Sequence, residues 1–446
     1  MSGGSPIGVG PTSTPTRIDV SGAGCLRPGV RSGHHGEMAR RTISSTLVVL
    51  AVVATACSAP TVESEGPNTT GAPPTTELFD IAEPDPLPFP GFDVDRVTIA
   101  PLPGVGNPDG TEPQLTGWAA FDAEIVRSVL GGGSDAVSVA VAVDGETVHE
   151  AAFGARVPDT FELVQPTDRF RVASISKTIT SITMLQLVED GVIGLDDPVG
   201  SLVALAVGVA SPSAGSADIT VRELLTHTGG FAQYESLFFR KQVASCEEAA
   251  AVGFTRSLQG KGFRYSNMNY CVLGLLIEQL TGQPYEEVVY ERLLTPLGIS
   301  GMRLAPTYDP GPGEVEHRSV PGRNYMEVLG AAGAWVASPT DLVTIIGSLD
   351  SETSGWKPLE PDTVAAMKTS VNDPLVPDRG YGMGLILYGG GTSGHTGTIE
   401  STHAMVLDRA DDVTWAVTVS GENPSETIRL AGIVDRALVA GGFIAG

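Results

Sequence analysis

Positive charge is scarce in this chain. It holds 27 lysines and arginines against 52 aspartates and glutamates, a formal charge of −25, and its pI is near 4.5. No basic run or patch is visible, which argues against nucleic acid as a partner and against electrostatic attachment to anionic lipid. Cysteine and histidine are also few, four and seven in 446 residues. The histidines form no H-x-H or H-E-x-x-H pattern, and neither Cys246 nor Cys271 has a cysteine or histidine at ligand spacing. A zinc hydrolase is therefore unlike this sequence, and no cofactor or metal site is expected. There is no internal repeat. What remains is globular, 41% hydrophobic and 18% charged, at a length that by itself allows two or three domains.

The first quarter of the chain reads as an address and a spacer. Residues 1–37 are rich in Gly, Pro and Ser without periodicity, and Met38 reads as the start, with an extension ahead of it. Arg40-Arg41 then precede an apolar run over residues 47–54 and the small-residue site Ala54-Thr55-Ala56-Cys57. The run is shorter than the ~20 residues that span a bilayer, so residues 38–57 are expected to be a secretory signal. Its end resembles a bacterial lipobox, which implies lipidation of Cys57 and a cell-membrane anchor on the extracytoplasmic face. Ordinary cleavage after Ala56 is the alternative and would give a secreted protein. Residues 58–114 are rich in Pro, Thr, Gly and Glu, cannot bury a core, and read as a disordered tether.

From residue 115 to the C-terminus the pattern is that of a folded domain. Residues 118–130 read as a helix, residues 136–143 and 147–153 as two strands joined at Asp144-Gly145. Thr220 and Glu223 form a capping-box pattern ahead of Gly229-Gly230, and His227 reads as a structural residue at that helix end. A long apolar helix over residues 271–280 ends at Gly282. Ser338-Pro339-Thr340-Asp341 opens another helix, and residues 381–388, 402–407 and 413–419 read as strands. Cys246 and Cys271 either pair, adding ~3 kcal/mol for a loop of that size, or stay separate thiols.

The stretch Ser174-Ile175-Ser176-Lys177 opens what reads as an amphipathic helix to Glu189, with Ile175, Ile179, Ile182, Leu185 and Val188 at helical spacing. Residues i and i+3 share a helix face, so Ser174 and Lys177 face one space, where an amine can take a hydroxyl proton. Alone, S-x-x-K arises often by chance and reads as a capped helix with an exposed lysine. Two further polar groups follow. Tyr265-Ser266-Asn267 stands at the mouth of a helix, and Gly394-His395-Thr396-Gly397-Thr398 precedes a strand, its glycines permitting close backbone approach.

In this order, Ser174–Lys177, Tyr265–Asn267 and His395–Gly397 resemble the motifs of the serine β-lactamase-related family, which includes class C β-lactamases, DD-peptidases and esterases. The resemblance implies an α+β fold, an antiparallel sheet flanked by helices with a mostly helical region inserted in the chain. It implies that Ser174 is the nucleophile of an acyl-enzyme, that Lys177 helps deprotonate it and lowers the pKa of Tyr265, and that Tyr265 shuttles the proton. Asn267 would orient the substrate, His395, Thr396, Gly397 and Thr398 would line its site, and the N–H groups of Ser174 and Thr398 would form the oxyanion hole. His395 stands where many β-lactamases have lysine, so it would grip a carboxylate less firmly. The arginine that DD-peptidases of this type carry after Tyr381-Gly382-Met383-Gly384 is absent, the chain reading Leu385-Ile386-Leu387.

The expectation is an extracytoplasmic serine hydrolase acting on an ester, amide or D-amino-acid peptide, with a small-molecule or peptide substrate as its partner. A non-catalytic ligand-binding or cell-wall lipoprotein that retains the fold is the alternative, and it leaves Ser174, Lys177, Tyr265 and Asn267 without a reason to occur together. Oligomeric state is not legible.

Overall fold

A computed structural model describes residues 115–372 and 379–445. Met38, Cys57 and the tether lie outside these residues. Strands β1 (Ala136–Val143) and β2 (Glu146–Gly154) form the hairpin expected at Asp144-Gly145, where both residues take positive φ, 50° and 79°. Near the C-terminus β6 (Arg379–Tyr381), β7 (Ile386–Gly389), β8 (Thr392–Ile399), β9 (Thr402–Asp408) and β10 (Val413–Ser420) follow one another. The seven make one antiparallel sheet in the order β2-β1-β10-β9-β8-β7-β6. The first strand of the domain thus pairs with the last, Ala136 opposite Ser420. Short strands β3 (Phe170–Arg171), β4 (Arg303–Leu304) and β5 (Trp335–Ala337) form a second sheet in the order β3-β5-β4.

The two faces of the large sheet differ because its strands alternate large and small residues. Val137, Val139 and Val141 of β1, with Trp415, Val417 and Val419 of β10, pack on one side in a core shared with Leu430, Val434 and Leu438. Those residues belong to α12 (Arg429–Gly441), which lies beside α1 (Gly117–Val129). On the other side Ala140, Ala142 and Ala416 leave room for the helical insertion. That insertion contains α2 (Ser176–Glu189), α3 (Gly200–Ala206), α4 (Val221–Leu225), α5 (Glu235–Phe239), α6 (Cys246–Thr255), α7 (Asn267–Thr281), α8 (Tyr285–Val289), α9 (Tyr325–Leu329), α10 (Pro339–Gly347) and α11 (Pro361–Met367). This is the α+β architecture expected, with helices on both faces.

Two local expectations are corrected. Residues 381–388 are not one strand but the turn of the β6–β7 hairpin with parts of both arms. Gly384 takes φ +81°, its carbonyl accepts the Thr178 hydroxyl at 2.7 Å, and a Cβ there would overlap Ser181 Oγ. The backbone leaves the sheet at this point to pack on α2. Nor is α2 amphipathic in the sense of having a wet face: residues 176–187 are all buried. Its hydroxyl-bearing side is satisfied internally instead. Thr180 Oγ1 reaches the Ala331 carbonyl (2.7 Å) and the Tyr285 hydroxyl (2.8 Å), and Ser181 Oγ reaches the Tyr270 hydroxyl (3.0 Å).

Cys246 and Cys271 are joined in a disulfide. It ties the start of α6 to α7, the helix whose first residue is Asn267. Replacing both cysteines by serine should lower stability by ~3 kcal/mol, read as a lower denaturant midpoint, with a steeper slope because the unfolded chain is no longer cross-linked.

Candidate active site

Ser174 lies in a single 3₁₀ turn, Ala173–Ile175, that runs directly into α2. Ala173 just before it takes φ +45°, a left-handed conformation uncommon outside glycine. This strain turns the chain sharply between β3 and α2 and leaves Ser174 partly exposed while its neighbours are buried.

Lys177 is fully buried, yet it is held by three oxygens. Its Nζ lies 2.9 Å from Ser174 Oγ, 2.8 Å from Asn267 Oδ1 and 2.8 Å from the Ala332 carbonyl. Burial pushes its pKa well below the ordinary lysine value, and among the described residues no carboxylate is bonded to it. In the neutral form that burial favours, the amine has two N–H donors and one lone pair. The Ala332 carbonyl and Asn267 Oδ1 are both acceptors, so they take the two donors. The lone pair is then left for the Ser174 hydroxyl, which is the arrangement a general base requires.

Tyr265 completes the group. Its phenol lies close enough to Ser174 for the serine to lower its pKa, and Lys177 Nζ sits 5.0 Å from its ring centroid. Burial raises the phenol pKa above its ordinary value, with Ser174 opposing. Lys177 is not among the groups that lower it, which corrects the expectation that it does. Asn267 is the first residue of α7, placed there because Ser266 caps the helix, its Oγ accepting from Met268 N–H at 3.2 Å. With Oδ1 on Lys177, the Asn267 amide keeps its N–H donors for a ligand carbonyl.

Strand β8 forms the opposite wall. Gly397 approaches the nucleophile turn so closely that a Cβ there would overlap the Val172 carbonyl oxygen. That approach brings Thr398, which is exposed, alongside the turn that carries Ser174. The Thr398 hydroxyl bonds Thr427 Oγ1 at 2.5 Å.

The sequence model of one family, described as Beta-lactamase, matches residues 121–438. The chain belongs to the Beta-lactamase family. Penicillin-binding protein 4 of Amycolatopsis lactamdurans is 31% identical over 166 residues, 36% of this chain and 42% of that protein. The D-alanyl-D-alanine-carboxypeptidase/endopeptidase AmpH of Escherichia coli (strain K12) is 24% identical over 225 residues, 47% of this chain and 57% of its own length. The matches thus span 37–57% of the length of such curated relatives. Among solved structures, SurE with D-Leu is 28% identical with a TM-score of 0.58, over 74% of this chain and 75% of that one.

In this member of the Beta-lactamase family the third motif is built differently from expectation. His395 was to line the substrate site and hold a carboxylate weakly, but its ring is buried beneath the site at 1% exposure. Nδ1 donates to the Thr396 carbonyl at 2.6 Å, and Nε2 accepts from the Tyr381 hydroxyl at 3.2 Å. Burial, then the Lys177 amine, push its pKa down to about 3, so it carries no charge at neutral pH. Thr396 is partly exposed beside it. Sequence reading missed three contributors. The Ala332 carbonyl lies in the small-residue stretch near Trp335, and no side chain advertises it. Tyr270 and Tyr381 both pack beneath the site, Tyr270 within 5.8 Å of Lys177 Nζ and Tyr381 on His395. The recurrence of tyrosine near the second and third motifs was the available signal.

Among the described residues no cluster of histidine, cysteine, aspartate or glutamate could hold a metal ion. Gly397→Ala should push β8 off the Ser174 turn. Because a displacement of ~1 Å can cost ~100-fold, ester turnover should fall by about that factor while circular dichroism stays that of a folded chain.

Proposed function

We propose that this protein is an extracytoplasmic serine hydrolase that works through an acyl-enzyme at Ser174. The observation that carries this reading is the buried Lys177 amine, with two acceptors on its donors and Ser174 on its remaining valence. In this reaction the Ser174 hydroxyl proton passes to Lys177 as Oγ attacks the substrate carbonyl. The N–H groups of Ser174 and Thr398 take the charge developing on the carbonyl oxygen, each such donor being worth ~3 kcal/mol in comparable enzymes. As the tetrahedral intermediate collapses, Tyr265 gives its proton to the leaving group and regains one from Lys177. Water then attacks the acyl-serine, handing its proton back through the same pair.

The substrate class is an ester, an amide or a D-amino-acid peptide. The D-configured arm is supported by two similar proteins, the D-alanyl-D-alanine-carboxypeptidase/endopeptidase AmpH and SurE, the latter solved with D-Leu. The neutral His395 and the missing arginine at Leu385-Ile386-Leu387 favour a substrate without a free terminal carboxylate.

The chain should hydrolyse a short-chain p-nitrophenyl ester, and Ser174→Ala should lower turnover by ~10,000-fold or more. The wild type should gain the mass of the acyl group on Ser174. Turnover should be lost as pH falls through the Lys177 pKa, because only the neutral amine accepts a proton; that acid limb should lie well below the ordinary lysine pKa of 10.5. Equal rates in wild type and Ser174→Ala, with no acylated mass on esters, D-peptides or β-lactams, would leave the ligand-binding reading in its place.

The location is proposed from Cys57. In a bacterial host the wild type should fractionate with membranes and take up labelled fatty acid, and Cys57→Ser should release it to the medium unlabelled. Equal release of both would make it a secreted protein.

A further inference from the structure

His227 occupies a backbone position that ordinarily belongs to glycine. Helix α4 closes in a Schellman turn: Thr228 N–H bonds the Glu223 carbonyl at 2.9 Å, and His227 N–H bonds that of Leu224 at 3.3 Å. The residue at this point must turn left-handed, and His227 does so at φ +57°. A side chain here is strained where glycine would not be. The backbone therefore does not select histidine, and the reason for it lies in what the ring touches.

The ring is fully buried. Its Nδ1 receives the Ser266 N–H at 3.2 Å and the Asn269 side-chain amide at 3.0 Å. The Ser266 group can only donate, so Nδ1 carries the lone pair and the proton sits on Nε2. Nε2 is buried with no hydrogen-bond partner among the described residues. The His227 carbonyl meanwhile accepts the Arg264 N–H at 2.9 Å. Residues 264 and 266 are the two neighbours of Tyr265. One residue thus holds the backbone on both sides of that tyrosine, and its ring packs against the Tyr265 ring at 4.3 Å between centroids. The same ring lies 4.9 Å from Tyr381 and 5.1 Å from Tyr270, so it fills the space between the phenol and the hydroxyls beneath it.

We propose that His227 is the positioning residue of Tyr265. It brackets the peptide on either side of the tyrosine and backs its ring, so that the phenol meets Ser174. This rests on Tyr265 serving as the proton relay of the hydrolase reaction. It also revises the sequence reading of His227 as a residue that merely closes a helix.

Two substitutions separate the parts of the bracket. His227→Phe keeps a ring and removes the acceptor. His227→Asn suits the positive φ, keeps an acceptor near the Nδ1 position and removes the ring. His227→Phe should lower kcat by about 10- to 100-fold with KM changed by less than about threefold, and His227→Asn should lose less. In a Tyr265→Phe background, where the phenol is already gone, His227→Phe should cost nothing further. A structural role alone predicts the opposite: His227→Phe would reduce the Tyr265→Phe enzyme by the same factor as the wild type, and that result overturns the proposal, as does an unchanged kcat. If His227→Phe does not fold, the same cycle is run with His227→Asn. A wild type without Ser174-dependent turnover would sink the hydrolase reading instead. The bracket would then be tested in a crystal structure of His227→Phe, where the Tyr265 hydroxyl should move off Ser174, and an unmoved hydroxyl would overturn it.

Discussion

A lysine amine buried inside the protein is the constraint around which this structure is arranged. An ammonium buried with no carboxylate is strongly disfavoured, and the pKa of Lys177 falls accordingly. Its N–H donors still need partners, and leaving one unpaired would be costly. Asn267 at the head of α7 and the Ala332 carbonyl from the turn before β5 meet that demand. These two acceptors come from separate parts of the chain, so the helical insertion and the small sheet must both be in register before the amine is satisfied. The Ser174 hydroxyl is the third partner, and its reactivity follows from the other two.

The same burial shapes what surrounds the site. His395 is neutral because it lies beside Lys177 in a desolvated pocket, and its nitrogens serve Thr396 and Tyr381 rather than a ligand. Tyr265 keeps its proton for the same reason. Burial thus favours the uncharged forms of Lys177, Tyr265 and His395 alike. The wall formed by β8 is set by sterics instead. Gly397 must lack a side chain for the strand to lie against Val172, and the strained Ala173 turn completes the approach from the other side.

Much of this was readable along the chain, for identifiable reasons. Turns and caps are local: Asp144-Gly145, the Thr220–Glu223 box, the Ser338–Asp341 box and the stop at Gly282 all stand where their residues implied. Residues 136–143 and 413–419 read as strands, and the structure gives the sheet they share one bulky and one small face. The stretch 381–388 misled because its glycines were read as part of a strand, while the cause of the turn, the packing of Gly384 on α2, is distant in sequence. The helix after Ser174 misled in a related way. Its threonines and serines look like a solvent face until Ala331, Tyr270, Tyr285 and Gly384 are seen to satisfy them.

The sequence by itself determined which residue types are present and their local conformations: a serine and a lysine one helical turn apart, a tyrosine and an asparagine at a helix mouth, and glycines where β8 must come close. Local spacing controls these, because turns, caps and i,i+3 neighbours depend on a few consecutive residues. The tertiary structure decided the charge state of Lys177, Tyr265 and His395, the pairing of Cys246 with Cys271, and the role of His227 between two neighbours of Tyr265. Those properties depend on desolvation and on partners distant in sequence. Neither is encoded at any single position, and both arise only once the sheet and the helical insertion have closed around the amine.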